Sequence, residues 1–164
     1  MHSPIEFEAL DDQPVDIVFL LLAPESAGAD PGPVSYGRGG VDVTLTDANI
    51  ALGRLNPEAL LGGRMSMDAE AARKAIKDNI ARPLGLSLED AAIGIVRVAA
   101  SGIARAIRSV ASAKGHNPTE FALFSYGGAG PLLASDVNDE VGCARILVPC
   151  EPGTLCARGI LLSD

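Results

Sequence analysis

Two glycine-bearing stretches hold the residues best suited to chemistry. In SYGGAGPLLAS, Ser125 to Ser135, a strand-like run delivers the chain to Gly127-Gly128, where missing side chains permit positive φ and the close approach of a ligand. Pro131 suits the first turn of a helix, and that helix start offers unpaired amides and a positive dipole end to an anion or polar group. The pattern is neither a P-loop nor GxGxxG, so spacing alone leaves a tight packing turn and a nucleotide contact as alternatives. In SYGRGG, Ser35 to Gly40, Arg38 stands between glycines and can offer its guanidinium to a carboxylate or phosphate. The competing reading is a surface loop with a solvated arginine.

The remaining polar residues are weaker candidates. TLTDAN, Thr44 to Asn49, reads as a polar ligand contact or as a helix start capped by Thr46 and Asp47, and capping is sufficient. Arg105 and Arg108 fit a solvated helix face, and His116 sits beside a helix end. The histidines are His2 and His116 and no CxxC occurs, so no metal site is expected from this chain. The three cysteines, Cys143, Cys150 and Cys156, read as small buried apolar residues. No Ser/His/Asp or Cys/His set can be picked out, and the acidic residues show no spacing diagnostic of acid–base work.

The elements that must position these residues follow from periodicity and punctuation. Val15 to Leu22 reads as a buried strand, and Pro24 to Gly40 as a loop rich in glycine and proline. Asp68 to Ile80 is expected to be a helix, stopped by Arg82-Pro83 because the residue before proline leaves the α region. Ser87, with Asp90 in a capping arrangement, opens a long helix that ends at Gly115. Its apolar face is predicted to carry Ala92, Ile95, Val96, Ala99, Ile103, Ala106, Ile107 and Val110, with Arg97, Ser101, Arg105, Arg108 and Ser112 on another face. Phe121 to Ser125 as strand, Leu132 to Val141 as helix and Arg145 to Val148 as buried strand make a βαβ unit, hence parallel strands in an α/β sheet. A short helix from about Thr154 closes the sequence.

Composition sets bounds on function. The chain's 164 residues suffice for a real core. A net charge of −8 argues against a nucleic-acid partner, because phosphate backbones call for clustered Lys and Arg. The longest apolar run, Ile17 to Ala23, is far short of the ~20 residues a membrane helix needs. With no basic region and signal-like core at the start, the expected location is cytoplasmic.

Several stretches taken together resemble one family. ESAGADPGPVSYGRGG, TDANIALGRLNPEALLGGRMSMD, ASGIARAIRSV, FALFSYGGAGPLLA and RILVPCEPGTLCARGILLSD are similar, in words and in order, to the hydantoinase A / 5-oxoprolinase family over about residues 24–164. That resemblance implies an ATP-dependent opening of a five-membered cyclic amide, such as a hydantoin or 5-oxoproline; related ketone carboxylases use a similar subunit. It implies part of an actin/sugar kinase/Hsp70-like ATPase lobe, with a short, mostly parallel sheet, a long core helix and an added N-terminal strand. Gly127, Gly128, Ala129 and Gly130 would then face the adenosine of ATP, with Arg38 as a substrate contact and ATP and Mg²⁺ as cofactors of the full-length family. The sequence departs from the family where the usual cysteine before YGRGG is Ser35, the usual histidine after GPL is Leu133, and the usual proline after VP is Cys150. The family's acidic phosphate loops of the DxGGT kind are also absent.

The front of the chain reads differently. IEFEALDDQPVDIVFLLLAPESAGAD, Ile5 to Asp30, resembles the nitrogen-regulatory/fructose-type IIA phosphocarrier domains of the phosphotransferase system, without their phosphoacceptor motif. PESAGAD fits both families, which suggests two parts joined there: residues 1–30 as a strand segment and 31–164 as the hydantoinase-like lobe. The expected function is a portion of a cyclic-amide hydrolase that binds nucleotide weakly and is inactive alone, lacking an N-terminal lobe. The alternative is a non-catalytic structural or interaction module, such as a chimeric homo-oligomer.

Overall fold

The computed structural model describes residues 26–58, 63 and 65–162. The strand expected over Val15 to Leu22, and with it the added N-terminal strand, lies outside these residues. The elements are α1 (Leu45–Ala51), α2 (Ala69–Ile76), α3 (Arg82–Leu84), α4 (Leu88–Ala113), β1 (Ala122–Phe124), α5 (Gly130–Val141), β2 (Arg145–Leu147) and α6 (Leu155–Leu162), with short 3₁₀ turns between some of them.

Side-chain caps set the helix starts. Ser87 Oγ accepts the Asp90 amide at 3.0 Å and opens α4, as its sequence predicts. At its far end the Gly115 amide donates to Ser112 and the His116 amide to Ala111, a paired closure that requires the positive φ of +71° at Gly115. Asp68 caps α2 through the Ala71 amide. The predicted stop at Arg82-Pro83 is corrected, because the helical path runs on through α3 to Gly85. A wide turn over Lys77–Ala81, in which the Arg82 amide reaches back to the Lys77 carbonyl, precedes the proline. In a regular helix the Pro83 ring would meet the carbonyl four residues earlier, and the wide turn relieves that conflict.

The core forms around α4. Ala91, Ala92, Ile95, Val96, Ala100 and Ala104 are its buried residues. They join Ala48 and Ala51 from α1, Ile76 from α2, Ile80 from the wide turn, and Leu133, Val137 and Val141 from α5. Each fully buried Ile or Val stabilises the fold by about 1.5–3 kcal/mol relative to exposure. The predicted apolar face holds for the first half of α4 and only in part for the second, where Ile107 is partly buried against the core. Ile103 and Val110 are exposed, whereas Ala100 and Ala104 form the buried seam. Small side chains there let α5 approach closely, and α5 is fastened by Ser101 and Arg108, which donate to the side chain and main-chain carbonyl of Glu140.

β1 and β2 form a parallel pair in the register Ala122 to Arg145, Leu123 to Ile146 and Phe124 to Leu147. Together with α5 between them they make the βαβ unit the sequence predicts, and the architecture is α/β with a short parallel sheet. The ladder extends through the Ser125 amide to Leu147 and the Ala144 amide to Phe121, which accounts for the predicted strand ends. The second strand is not buried as expected. Leu147 and Val148 are about half exposed, as is Phe124, because helices cover one sheet face and leave the other open. Cys150 and Cys156 are likewise exposed rather than buried, and Cys143 is half-buried. No described helix is long and apolar enough to cross a membrane.

Candidate functional site: a glycine turn and an arginine loop

The first site begins where β1 ends. Ser125 is buried, and its Oγ lies 3.1 Å from where a Cβ at Gly130 would stand, so strand end and helix start pack closely. Gly127 has φ +87°, and its amide donates to the Pro152 carbonyl at 2.8 Å. That bond ties the turn to the segment after β2 and fixes its direction. Gly128 and Ala129 are exposed, and the position a Gly128 side chain would occupy is open space. α5 starts at Gly130 with Pro131 in its first turn and no side chain capping its amides. A helix start of this kind keeps donors and the positive end of the dipole available to an anion or polar group.

Beside the turn lies an open cavity of about 230 Å³. Ile103 and Ile107 of α4, Leu123 and Phe124 of β1, Tyr126, and Leu133 of α5 make its walls largely apolar. An apolar wall next to backbone donors suits a flat, partly hydrophobic group with a polar edge. The exposed Ile103 and the half-buried Ile107 thus form the α4 wall of this cavity.

The second site is the loop from Ser26 to Gly40. Arg38 is exposed at its tip, between Gly37 at φ +65° and Gly39 at φ +91°. Its Nη1 donates to the Ala29 carbonyl at 3.2 Å, which leaves guanidinium N–H groups for another acceptor. The loop crosses itself: a side chain at Gly40 would collide with the Gly32 carbonyl. Residues 26–30 belong to the same loop, since the Gly32 amide donates to Ala27.

Asp47 holds this loop, a role its sequence context did not reveal. The carboxylate is 0% exposed and accepts from the Ser35 amide at 2.8 Å, the Val34 amide at 3.3 Å, and the Thr44 amide and hydroxyl at 2.9 and 2.8 Å. Thr44, not Thr46, caps α1, and Asp47 reciprocates from the third helical position, a capping box. The T-x-x-D spacing was the available signal for that box. The reach to residues 34 and 35 had none. Ser35 is 1% exposed, and its Oγ has no hydrogen-bond partner.

The structure does not bring the two candidate sites into one cavity. The cavity at the arginine loop, about 530 Å³ and lined by Asp30, Gly39, Asp42, Thr44 and Thr46 among others, shares no residue with the one at the glycine turn. Arg54, after α1, pairs with Asp136 of α5, the helix that starts at the glycine turn. The hydrogen bond to Asp136 raises the Arg54 pKa above its ordinary value. Among the described residues no three His, Cys, Asp or Glu side chains converge to hold a metal ion.

Comparison with known proteins gives concordant results. The family model described as Hydantoinase/oxoprolinase matches residues 19–164. The chain is 45% identical over 149 residues to the caprolactamase subunit alpha of Pseudomonas jessenii, covering 91% of this chain and 21% of that protein. It is 39% identical over 153 residues to 5-oxoprolinase of Saccharomyces cerevisiae, covering 87% of this chain and 12% of that one. The crystal structure of the ATP-dependent caprolactamase from Pseudomonas jessenii superposes with a TM-score of 0.78 at 46% identity, over 86% of this chain and 20% of that chain. A nucleotide-free structure of acetone carboxylase, from work on ATP-dependent acetone carboxylation, superposes at 0.77 with 39% identity, again over 86% and 20%. The chain thus spans about a fifth or less of the length of these relatives.

Proposed function

The chain belongs to the hydantoinase/oxoprolinase family, and we propose that it supplies the adenosine side of the nucleotide site in a cytoplasmic ATP-dependent enzyme that opens cyclic amides. One observation carries this reading. An uncapped helix start follows an open glycine turn directly beside an apolar cavity, so Gly127, Gly128, Ala129 and Gly130 can take the polar edge of a nucleotide and the cavity its base. The lobe type is that of the actin/sugar kinase/Hsp70 ATPases. Arg38 contributes an anion contact on the substrate side. In this reading the turn and cavity take a nucleotide's base and sugar, metal and terminal phosphates are held by the rest of a longer enzyme, and this chain alone is inactive.

Calorimetric titration with ATP and Mg²⁺ tests this. Weak binding without phosphate release is expected, and Gly128→Val should weaken it further without lowering the unfolding midpoint, because nothing lies within 4 Å of the added Cβ. Equal binding by wild type and variant would remove the turn from the site. Tight binding with phosphate release would overturn the reading of an inactive lobe.

A second reading, a non-catalytic interaction module that forms homo-oligomers, is favoured by α6, whose Ile160, Leu161 and Leu162 are largely exposed. Light scattering that finds an assembly, with an unfolding midpoint indifferent to excess ATP, would select it. The division into 1–30 and 31–164, with a phosphocarrier-like first part joined at PESAGAD, rests on sequence words alone. The family match already begins at residue 19. An uninterrupted genomic reading frame encoding phosphate loops upstream would dismiss the join.

A further inference from the structure

We propose that Asp47 is the positioning residue of the Arg38 loop, the group that keeps its guanidinium aimed for an anionic ligand. The inference rests on the reading of Arg38 as an anion contact and adds the device that makes such a contact preformed. One buried carboxylate holds the chain on both sides of the loop tip. It accepts the Val34 and Ser35 amides before Arg38 and the Thr44 amide and hydroxyl after it. The tip itself is bare: nothing lies within 4 Å of where side chains at Gly37 and Gly39 would begin. Packing therefore does not place those glycines. Their φ angles, +65° and +91°, belong to a region where glycine pays no steric penalty but has much freedom to lose.

Two further contacts act on the same frame. The Asp68 amide donates to the Ser35 carbonyl at 2.7 Å, and Arg38 itself leans on Ala29. Neither spans the tip from base to base, as the Asp47 carboxylate does. A loop fixed before its ligand arrives spends less binding energy on ordering, so the affinity of Arg38 for an anion should depend on a residue that never touches it. Charge-assisted bonds to buried carboxylates are the strong kind, which suits one side chain to this task.

The test is amide hydrogen exchange on the full chain, wild type against Asp47→Asn, with inorganic phosphate as the anion probe. In the variant, exchange at Val34, Ser35 and Thr44 should rise about tenfold or more, the loss of one charged hydrogen bond. The Ile95 and Val96 amides should keep their protection. Phosphate should perturb the Arg38 and Gly39 signals in wild type and do so more weakly in Asp47→Asn. If that variant fails to fold, Thr44→Val, which removes the hydroxyl's bonds to the Asp47 carboxylate and amide but keeps the three main-chain amide bonds to the carboxylate, should loosen the same amides to a smaller degree. Exchange that is unchanged, or that rises equally at residues 95 and 96, would overturn the proposal. If the loop amides loosen but phosphate perturbs neither protein, Asp47's hold on the loop stands and the anion reading of Arg38 falls.

Discussion

Arg54 grips Asp136 with both terminal nitrogens, Nη1 to Oδ2 at 2.6 Å and Nη2 to Oδ1 at 3.2 Å. The two residues are 82 positions apart, so the pair fastens the turn after α1 to the helix that starts at the glycine turn. Both side chains are partly exposed, and the coupling should be about 0.5–1 kcal/mol. A double-mutant cycle with Arg54→Ala and Asp136→Ala, read by urea unfolding, checks this. Arg54→Lys should lose most of the coupling because an ammonium cannot make the two-pronged contact. A coupling of zero at low salt would show the pair to be ornamental.

Ser35 carries a hydroxyl into the core with no hydrogen-bond partner. Replacing it with cysteine or alanine removes that unpaired group, and either change should raise stability by about 1 kcal/mol. Chemical unfolding decides it. A loss of stability in both variants would mean that the hydroxyl is satisfied in solution.

Two isoleucines on the same helix should behave differently. Ile95 is 1% exposed, and Ile95→Ala should cost about 2–5 kcal/mol. Ile103 is 41% exposed on the cavity wall, so Ile103→Ala should cost well under half as much while weakening any ligand that uses the wall. Equal losses would contradict the difference in burial between the two positions.

Asp78 lies between Lys74 and Arg82, at 3.2 and 2.7 Å. The hydrogen bond from Lys74, aided by the charges of Arg82, Lys74 and Lys77 and opposed by desolvation, holds its pKa below the ordinary carboxylate value. A carboxylate with a depressed folded pKa adds stability above its unfolded pKa and loses it as pH falls through the folded value. The gap in stability between wild type and Asp78→Asn should therefore favour wild type at neutral pH and close on acidification. A gap that widens in acid would reverse the assignment.

Local signals in the sequence were largely sufficient for local structure. Ser87 with Asp90 marked the start of α4, Gly115 its end, and the strand, glycine turn, helix and strand of residues 121–148 gave the parallel pairing. What was missed depends on distance along the chain. Periodicity assigned Ile103 and Val110 to the core because it cannot tell which stretch of a helix has neighbours. Arg82-Pro83 looked like a stop because the wide turn that accommodates the ring has no compositional mark. At the candidate sites, the glycine turn and Arg38 were visible as types and spacings. The Asp47 and Arg54 attachments were not, since their partners lie 12, 13 and 82 residues away.

The self-crossing of the arginine loop has a genetic corollary. At Gly40 the obstacle is the Gly32 main-chain carbonyl, not a side chain that could rotate aside. A library randomised at codon 40 and selected for folded protein should return glycine codons alone, whereas codon 128 should accept a broad set. Positions 40 and 128 hold the same residue for opposite reasons: one because there is no room, the other because room is kept.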